Sequence, residues 1–511
     1  MKNILVSVGV IAAILSGCTT VEAPKPASLL TPRISPAPQQ AQFREFARVK
    51  VEMTPIVVRC DDAAAVPWVR KMLGTWLRGY GVPDVRSAAR GAALAHGDEA
   101  YRVETKADAV VLTANTLQGI RYALYTYRQT WEASRGGVRT THHTAPQGMV
   151  DDWPALGFRG IHFCLTRDVS TPKFMEHQIR MAAYNKLNYA VIESWGVIRS
   201  ERHPYLGWTG ERTYSLAEIR RLGALARELG VTVIPQFNVF GHAAMARWVS
   251  SKHATLDVRP EYEPLFEPYA GWNWCLTNPD VLRIQLDLID ELLDAWGNPP
   301  YFHIGCDEAE PPSCSRCCAG NYRETVASHL RAVISHLERR GVRPLMWHDM
   351  LLRKGDERFE GFYCKGAADA EQLLQALPKS VVICDWFYRD VAHDAYPTLD
   401  YFKANGFDVM TCPWDSPKGV AAQTKWVIDH GMFGTLLTTW NHLTSNEYAN
   451  IWSVGPSAAW GAPGNESRRP DHQHVTTLWR QLGWDMGLKE SDYEELGFTT
   501  IQSDRTMPSK Y

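Results

Sequence analysis

Eight short apolar runs recur between residues 158 and 439, and longer amphipathic stretches separate most of them. The runs cover 161–165, 189–192, 231–237, 301–304, 344–347, 381–385, 408–411 and 434–439. Helical spacing marks the intervening stretches 173–186, 216–229, 281–296 and 322–340. A strand buried on both faces reads as a continuous apolar run, and a helix packed on it shows one apolar stripe. Eight such alternations over roughly 300 residues predict an α/β fold, a closed (β/α)8 TIM barrel. An open doubly wound sheet is the alternative, but no glycine-rich phosphate loop follows the first run. The stretch 240–279 is expected to lie over the barrel mouth.

Residues 45–150 read as a small α/β accessory domain ahead of a barrel at 151–488, with 489–511 as a tail. Strands are expected at 51–58, 101–105 and 109–113. One helix carries Val69, Met72, Leu73, Trp76, Leu77 and Tyr80, and a second carries Leu117, Ile120, Leu124 and Tyr127. Their aromatic stripe is core. At the start, Lys2 precedes an apolar run at 4–15 and then Leu15-Ser16-Gly17-Cys18. That run is too short for a standard membrane span and reads as a secretory signal, 1–18. Its small residues before Cys18 have the form of a bacterial lipobox, with Cys18 as the lipidated residue. Residues 19–44, rich in proline, are expected to form a tether. The expected location is therefore the bacterial cell envelope, held by a lipid anchor. No Asp follows Cys18, which points to the outer membrane where there is one.

A net charge of −2 without a long basic run excludes nucleic acid as a partner. The chemistry concentrates at strand ends, where barrels carry their active sites. His303-Ile304-Gly305-Cys306-Asp307-Glu308 puts two adjacent carboxylates after the fourth run. Asn238 and Gly241-His242 follow the third, Trp347-His348-Asp349 close the fifth, and Asp385-Trp386-Phe387-Tyr388 end the sixth. Trp414 follows the seventh and Trp440 the eighth. Acids ringed by tryptophans suit carbohydrate, whose C–H faces stack and whose hydroxyls bond to charge. Adjacent acids cannot easily straddle a sugar at the ~5–9 Å separation of the usual two-carboxylate mechanisms. They fit substrate assistance, in which a 2-acetamido group attacks its own anomeric carbon. Mutual repulsion is expected to keep one of the two protonated. Cys306, Cys314, Cys317 and Cys318 leave disulfide pairing open. A zinc site would need a fourth ligand at a convincing spacing, so the expectation is thiols or a disulfide, with no metal.

At this point the chain resembles the family 20 glycoside hydrolases, the β-N-acetylhexosaminidases. His303 to Glu308 matches a His-x-Gly-x-Asp-Glu signature, 230–242 resembles a Pro-to-Gly-His segment, and Phe158-Arg159-Gly160 resembles the Arg-Gly that opens the barrel. The segments 98–103 and 119–124 resemble the accessory domain that precedes such barrels, and the Gly-Cys-Asp-Glu form is similar to hexosaminidase D. The resemblance implies Glu308 as general acid and then base, and Asp307 as the partner of the acetamido nitrogen. It implies sugar binding by Arg159 and an acetamido pocket walled by Trp347, Trp386, Trp414 and Trp440. Tyr388 is the expected phenol on the acetamido oxygen, with Tyr363 and Tyr396 as competitors. His242 and His303 complete the set, as supporting histidines more than direct proton carriers. The implied activity is exo-acting, retaining removal of terminal β-linked N-acetylglucosamine or N-acetylgalactosamine from glycans or glycoconjugates, with no cofactor.

Three departures temper this reading. Gln236 and Asn238 stand where acids are frequent, Asn441-His442 replace an expected carboxylate after Trp440, and Ile161-His162-Phe163 lacks an early Asp. The alternatives are a catalytically weakened carbohydrate-binding lipoprotein of the same fold and a metal-dependent hydrolase.

Overall fold

The computed structural model describes residues 32–136, 139–165, 171–194, 196–206, 213–243, 260–268, 271–389, 391–440, 446–461 and 472–487. Cys18, Asn441 and His442 lie outside them. The small domain is a seven-stranded mixed sheet. Its strands are β1 (Gln40–Lys50), β2 (Ile56–Arg59), β3 (Val85–Ser87), β4 (Tyr101–Thr105), β5 (Val110–Ala114), β6 (Glu132–Gly136) and β7 (Arg139–Asp152). They run in the order β1-β7-β4-β5-β2-β3, with β6 also paired to β7. Helices Ala65–Trp76 and Leu117–Gln129 bury Trp68, Trp76, Tyr122 and Tyr125. Trp68 Nε1 and Tyr125 Oη donate to the carbonyls of Glu228 and Leu229 in the barrel. The aromatic stripe is thus core, and much of it is the seam between the two domains.

Two expectations change here. The run at 51–58 is broken, because Val51–Met53 forms a 3-10 turn. The Thr54 N–H closes that turn on the Lys50 carbonyl, and Pro55 has no N–H to continue a ladder. The tether also ends earlier than its composition predicts. Ile34, Ser35 and Ala37 are buried. The Ser35 N–H donates to Gln129 Oε1 at 2.7 Å. The next residues enter β1, an edge strand whose mostly exposed side chains show no apolar alternation.

The second unit is a closed, all-parallel barrel. Its strands are β8 (Phe158–Leu165), β9 (Tyr189–Ser194), β10 (Thr232–Gln236), β11 (Tyr301–His303), β12 (Arg343–Trp347), β13 (Val382–Phe387), β14 (Asp408–Pro413) and β15 (Gly434–Thr439). Each coincides with one of the eight apolar runs, and β15 closes on β8 with Thr435 opposite Arg159. Helix boundaries follow local chemistry. Ser215 and Glu218 form a capping box before Leu216–Leu229, which ends on left-handed Gly230. Val191, Ile234, Leu345 and Leu436 fill the barrel interior. Phe158 stacks on Tyr189 at 4.3 Å near the end where the strands begin. No helix among the described residues is long and apolar enough to cross a membrane.

Arg159 is corrected by this geometry. It stands at the start of β8, at the end of the barrel opposite the mouth, and is fully buried. Its guanidinium pairs with Glu99 of the small domain at 2.8 and 2.9 Å and donates to the Leu156 carbonyl and to Tyr122 Oη. It is an interdomain strut and does not reach a sugar at the mouth. Arg159→Met is expected to cost about 3–5 kcal/mol, as when one partner of a buried pair is removed. Denaturant unfolding combined with KM checks this. A raised KM at unchanged stability would restore the sugar-binding role.

Candidate active site

The fourth barrel strand ends at His303, and the chain then turns sharply. Gly305, Cys306 and Glu308 have φ of 68°, 77° and 48°, and His242 in the neighbouring loop has 53°. Left-handed backbone at three non-glycine residues is strain, held in place by surrounding contacts. A Cβ on Gly305 would fall 1.9 Å from Asn238 Oδ1, and one on Gly241 would fall 2.3 Å from the Asp307 carbonyl. These glycines let the loops after β10 and β11 pack backbone to backbone. His303 is buried, and its Nδ1 accepts the Gly305 N–H at 3.0 Å. Burial, and then the nearby His162, push its imidazole well below the usual range, so it stays neutral and supports the turn.

His242 lies between the acids. Its Nε2 is 3.2 Å from Asp307 Oδ2 and 3.4 Å from Glu308 Oε2. The expected supporting histidine is in direct contact with both carboxylates. Glu308 also meets the Lys365 ammonium through Oε1, accepts Trp272 Nε1–H on its carbonyl and donates its N–H to Asp349 Oδ2 at 2.9 Å. The hydrogen bond from His242, aided by Lys365 and opposed by desolvation, pulls the Glu308 carboxyl down to about 2. Mutual repulsion therefore does not keep Glu308 protonated. The acids pushed up are Asp349, to about 7 by burial and then by the Asp307 charge, and Asp385, to about 7 by burial.

The aromatic residues expected at the site are brought together. Trp347, at the end of β12, is fully buried, with Trp440 at 6.1 Å. Trp386 stacks on Tyr388 at 5.1 Å, and Tyr388 meets Trp414 at 5.5 Å and Trp440 at 6.3 Å. Tyr363 also stacks on Trp386, at 4.4 Å. Tyr396 instead packs with Phe387 and Trp426 in the core outside the barrel. The buried Tyr388 hydroxyl lies near Thr438, Trp440 and the Asp307 charge. Asp307 Oδ1 and Trp347 Nε1 are buried polar atoms with no hydrogen-bond partner among the described residues. Such atoms are rare in folded proteins and are costly unless a ligand or water meets them.

Several participants carried no usable sequence signal. Lys365 is an isolated cation 57 residues from Glu308. Glu193, at the end of β9, supplies a buried carboxylate where Gln236 and Asn238 lack one. It accepts from Asn238 Nδ2 at 3.2 Å and lies 3.2 Å from His162 Nε2. An acid closing an apolar run was its one available mark. A cavity of about 890 Å³ opens beside Glu308, lined by Phe240, Trp272, Tyr322, Arg353 and Lys365 among others. The tryptophan wall is not part of its lining.

Comparison with known proteins agrees with this architecture. Residues 156–416 match "Glycosyl hydrolase family 20, catalytic domain", and residues 31–153 match "Glycosyl hydrolase family 20, domain 2". A β-hexosaminidase of Emericella nidulans is 25% identical over 242 residues, 43% of this chain and 38% of that one. A β-N-acetylhexosaminidase of Cellulomonas fimi is 27% identical over 246 residues, 45% of this chain and 47% of that one. The aligned region thus spans less than half the length of either relative. The crystal structure of an exo β-N-acetylglucosaminidase from Vibrio harveyi in complex with N-acetylglucosamine superposes with a TM-score of 0.66 at 16% identity. That match covers 91% of this chain and 79% of the other and bears on the fold. With its catalytic-domain and domain 2 regions matched in order across residues 31–416, the chain belongs to glycosyl hydrolase family 20.

Proposed function

We propose that the protein is an exo-acting, retaining β-N-acetylhexosaminidase that removes terminal β-linked N-acetylglucosamine or N-acetylgalactosamine with the help of the substrate's own acetamide. The observation that carries this is the orphaned Asp307 Oδ1 near the hydroxyl of Tyr388, whose ring lies against Trp386, Trp414 and Trp440. The two groups are an acceptor and a donor, and an acetamide offers the complementary N–H and C=O. In the first step the acetamido oxygen attacks the anomeric carbon while Glu308 gives a proton to the departing glycosidic oxygen. Asp307 accepts the acetamido N–H and balances the charge of the oxazolinium. In the second step Glu308 takes a proton from water, which opens that ring with net retention. The cavity beside Glu308 suits the leaving-group side.

A panel of β-linked N-acetylglucosaminide, N-acetylgalactosaminide and unacetylated glucoside tests the reading. Cleavage confined to the acetylated sugars is expected, and efficient cleavage of the plain glucoside would sink it.

Lys365 raises a second point. Its charge stabilises the Glu308 carboxylate, so an acid role requires incoming substrate to displace the ammonium. Lys365→Met removes that positive neighbour and favours the protonated form. The alkaline limb of the kcat/KM–pH profile is then expected to move to higher pH. A limb that stays in place separates Lys365 from the acid. The same ion pair favours the alternative, a sugar-binding lipoprotein with weakened turnover. Calorimetric binding of N-acetylglucosamine together with no product over long incubation would select that alternative.

We also propose that Cys18 carries a lipid that holds the protein to the bacterial envelope, in the outer membrane where there is one. Cys18→Ala is expected to move the protein out of the membrane fraction. Unchanged sedimentation with membranes would end this idea.

A further inference from the structure

Four donor side chains converge on a point away from the acid pair. Glu267 and Cys275 lie on the long segment after β10, whereas Cys314 caps, and Cys317 lies in, the short helix Ser315–Cys318 that follows β11. Cys275 Sγ is 3.6 Å from Cys314 Sγ and 3.9 Å from Cys317 Sγ. Cys314 Sγ is 3.4 Å from Glu267 Oε1, and one donor atom from each residue lies within 4.8 Å of the others. A disulfide needs its sulfurs at about 2.05 Å. A tetrahedral zinc ion with Zn–S bonds of about 2.3 Å holds its sulfurs about 3.8 Å apart. The observed spacing fits the second geometry and not the first.

Two of the three sulfurs accept hydrogen bonds from nitrogen. The Cys317 N–H donates to Cys314 Sγ at 3.3 Å, and the Arg316 guanidinium donates to Cys275 Sγ at 3.4 Å. Glu267 Oε2 is fixed by the N–H groups of Ser313 and Cys314 at 2.9 and 2.8 Å, which turns Oε1 toward the sulfurs. Outer partners of this kind orient metal ligands and tune their charge. Sequence spacing concealed the set because its halves come from different segments, with Cys275 and Cys314 separated by 39 positions. The missing fourth ligand is a carboxylate, not a further cysteine or histidine.

We propose that Glu267, Cys275, Cys314 and Cys317 bind one structural zinc ion. Binding replaces three thiol protons, released to solvent, and leaves a Cys3Glu site of net charge −2 beside Arg316. All four positions come from protein, so none is open for substrate or catalytic water. The ion would clamp the segment bearing Trp272 to the loop bearing Asp307 and Glu308. Direct bonds already cross that seam: Trp272 Nε1 to the Glu308 carbonyl, and Asn273 in both directions with the Glu310 backbone. The site stands whether or not the acids hydrolyse a glycoside.

The test is the metal content of the full-length protein, purified in detergent under reducing conditions and dialysed after exposure to zinc. About one zinc ion per chain is expected. Cys275→Ser and Cys314→Ser should each lose it, whereas Cys318→Ser, whose thiol faces the Pro312 carbonyl instead, should keep it. Because the serine variants could misfold, the wild-type protein is also loaded with cobalt(II). Sulfur-to-cobalt charge-transfer bands and intense tetrahedral d–d bands are the expected signature. Absence of bound zinc together with absence of those bands would overturn the proposal, as would a disulfide among Cys275, Cys314 and Cys317 found by non-reducing peptide mapping.

Discussion

Glu308→Gln is expected to lower kcat/KM by about 10²–10⁴ on an N-acetylhexosaminide with a poor leaving group, the range that general acid–base catalysis supplies. The amide preserves shape but can neither give a proton to the glycosidic oxygen nor take one from water. The loss should shrink on an activated aryl glycoside, whose leaving group departs with little protonation. Azide, which attacks without a base, should then restore the second step and yield a glycosyl azide of retained configuration. Near-wild-type turnover of the poor-leaving-group substrate by Glu308→Gln would remove Glu308 from the acid role. Folding should change little, since the Glu308 side chain is a third exposed and its Lys365 partner more so, 34% and 42%.

Asp307→Ala is expected to lower kcat on acetylated substrates by about 10²–10³, the cost of removing one stabilising group from a buried reaction centre. The side chain would no longer accept the acetamido N–H or balance the oxazolinium charge. Both contacts strengthen as the acetamide attacks, so kcat should fall more than KM rises. A raised KM at unchanged kcat would assign Asp307 to ground-state binding instead. The substitution has a second readout. The Asp307 charge helps hold Asp349 up at about 7, after burial itself. Removing that charge should lower the Asp349 pKa, which NMR titration of the labelled carboxyl would follow.

The ring of tryptophans and the acid pair were legible because each is local. Every member sits at the end of an apolar run, and a parallel barrel carries all such ends to one mouth. Arg159 shows the limit of that rule. It also adjoins an apolar run, but at the start, and the same topology carries it to the opposite end against Glu99. His242 was read from a motif as a supporting histidine, yet its reach to both carboxylates depends on a left-handed backbone that no pattern marks. Edge strand β1 escaped notice for a different reason. Its exposed faces leave no apolar alternation, and its identity comes from pairing with β7.

Sequence alone determined the barrel, its eight strands and the placing of adjacent acids at a strand end. Periodicity and chain-adjacent motifs report on local geometry, and a repeated local geometry has few ways to close. Tertiary structure decided the company of those acids and holds the Glu308 carboxyl low. Lys365 reaches Glu308 across 57 positions, Glu99 reaches Arg159 across 60, and Cys275 meets Cys314 across 39. Electrostatic and metal-donor contacts depend on distance in space, and no local pattern encodes which distant loops the fold brings within 4 Å.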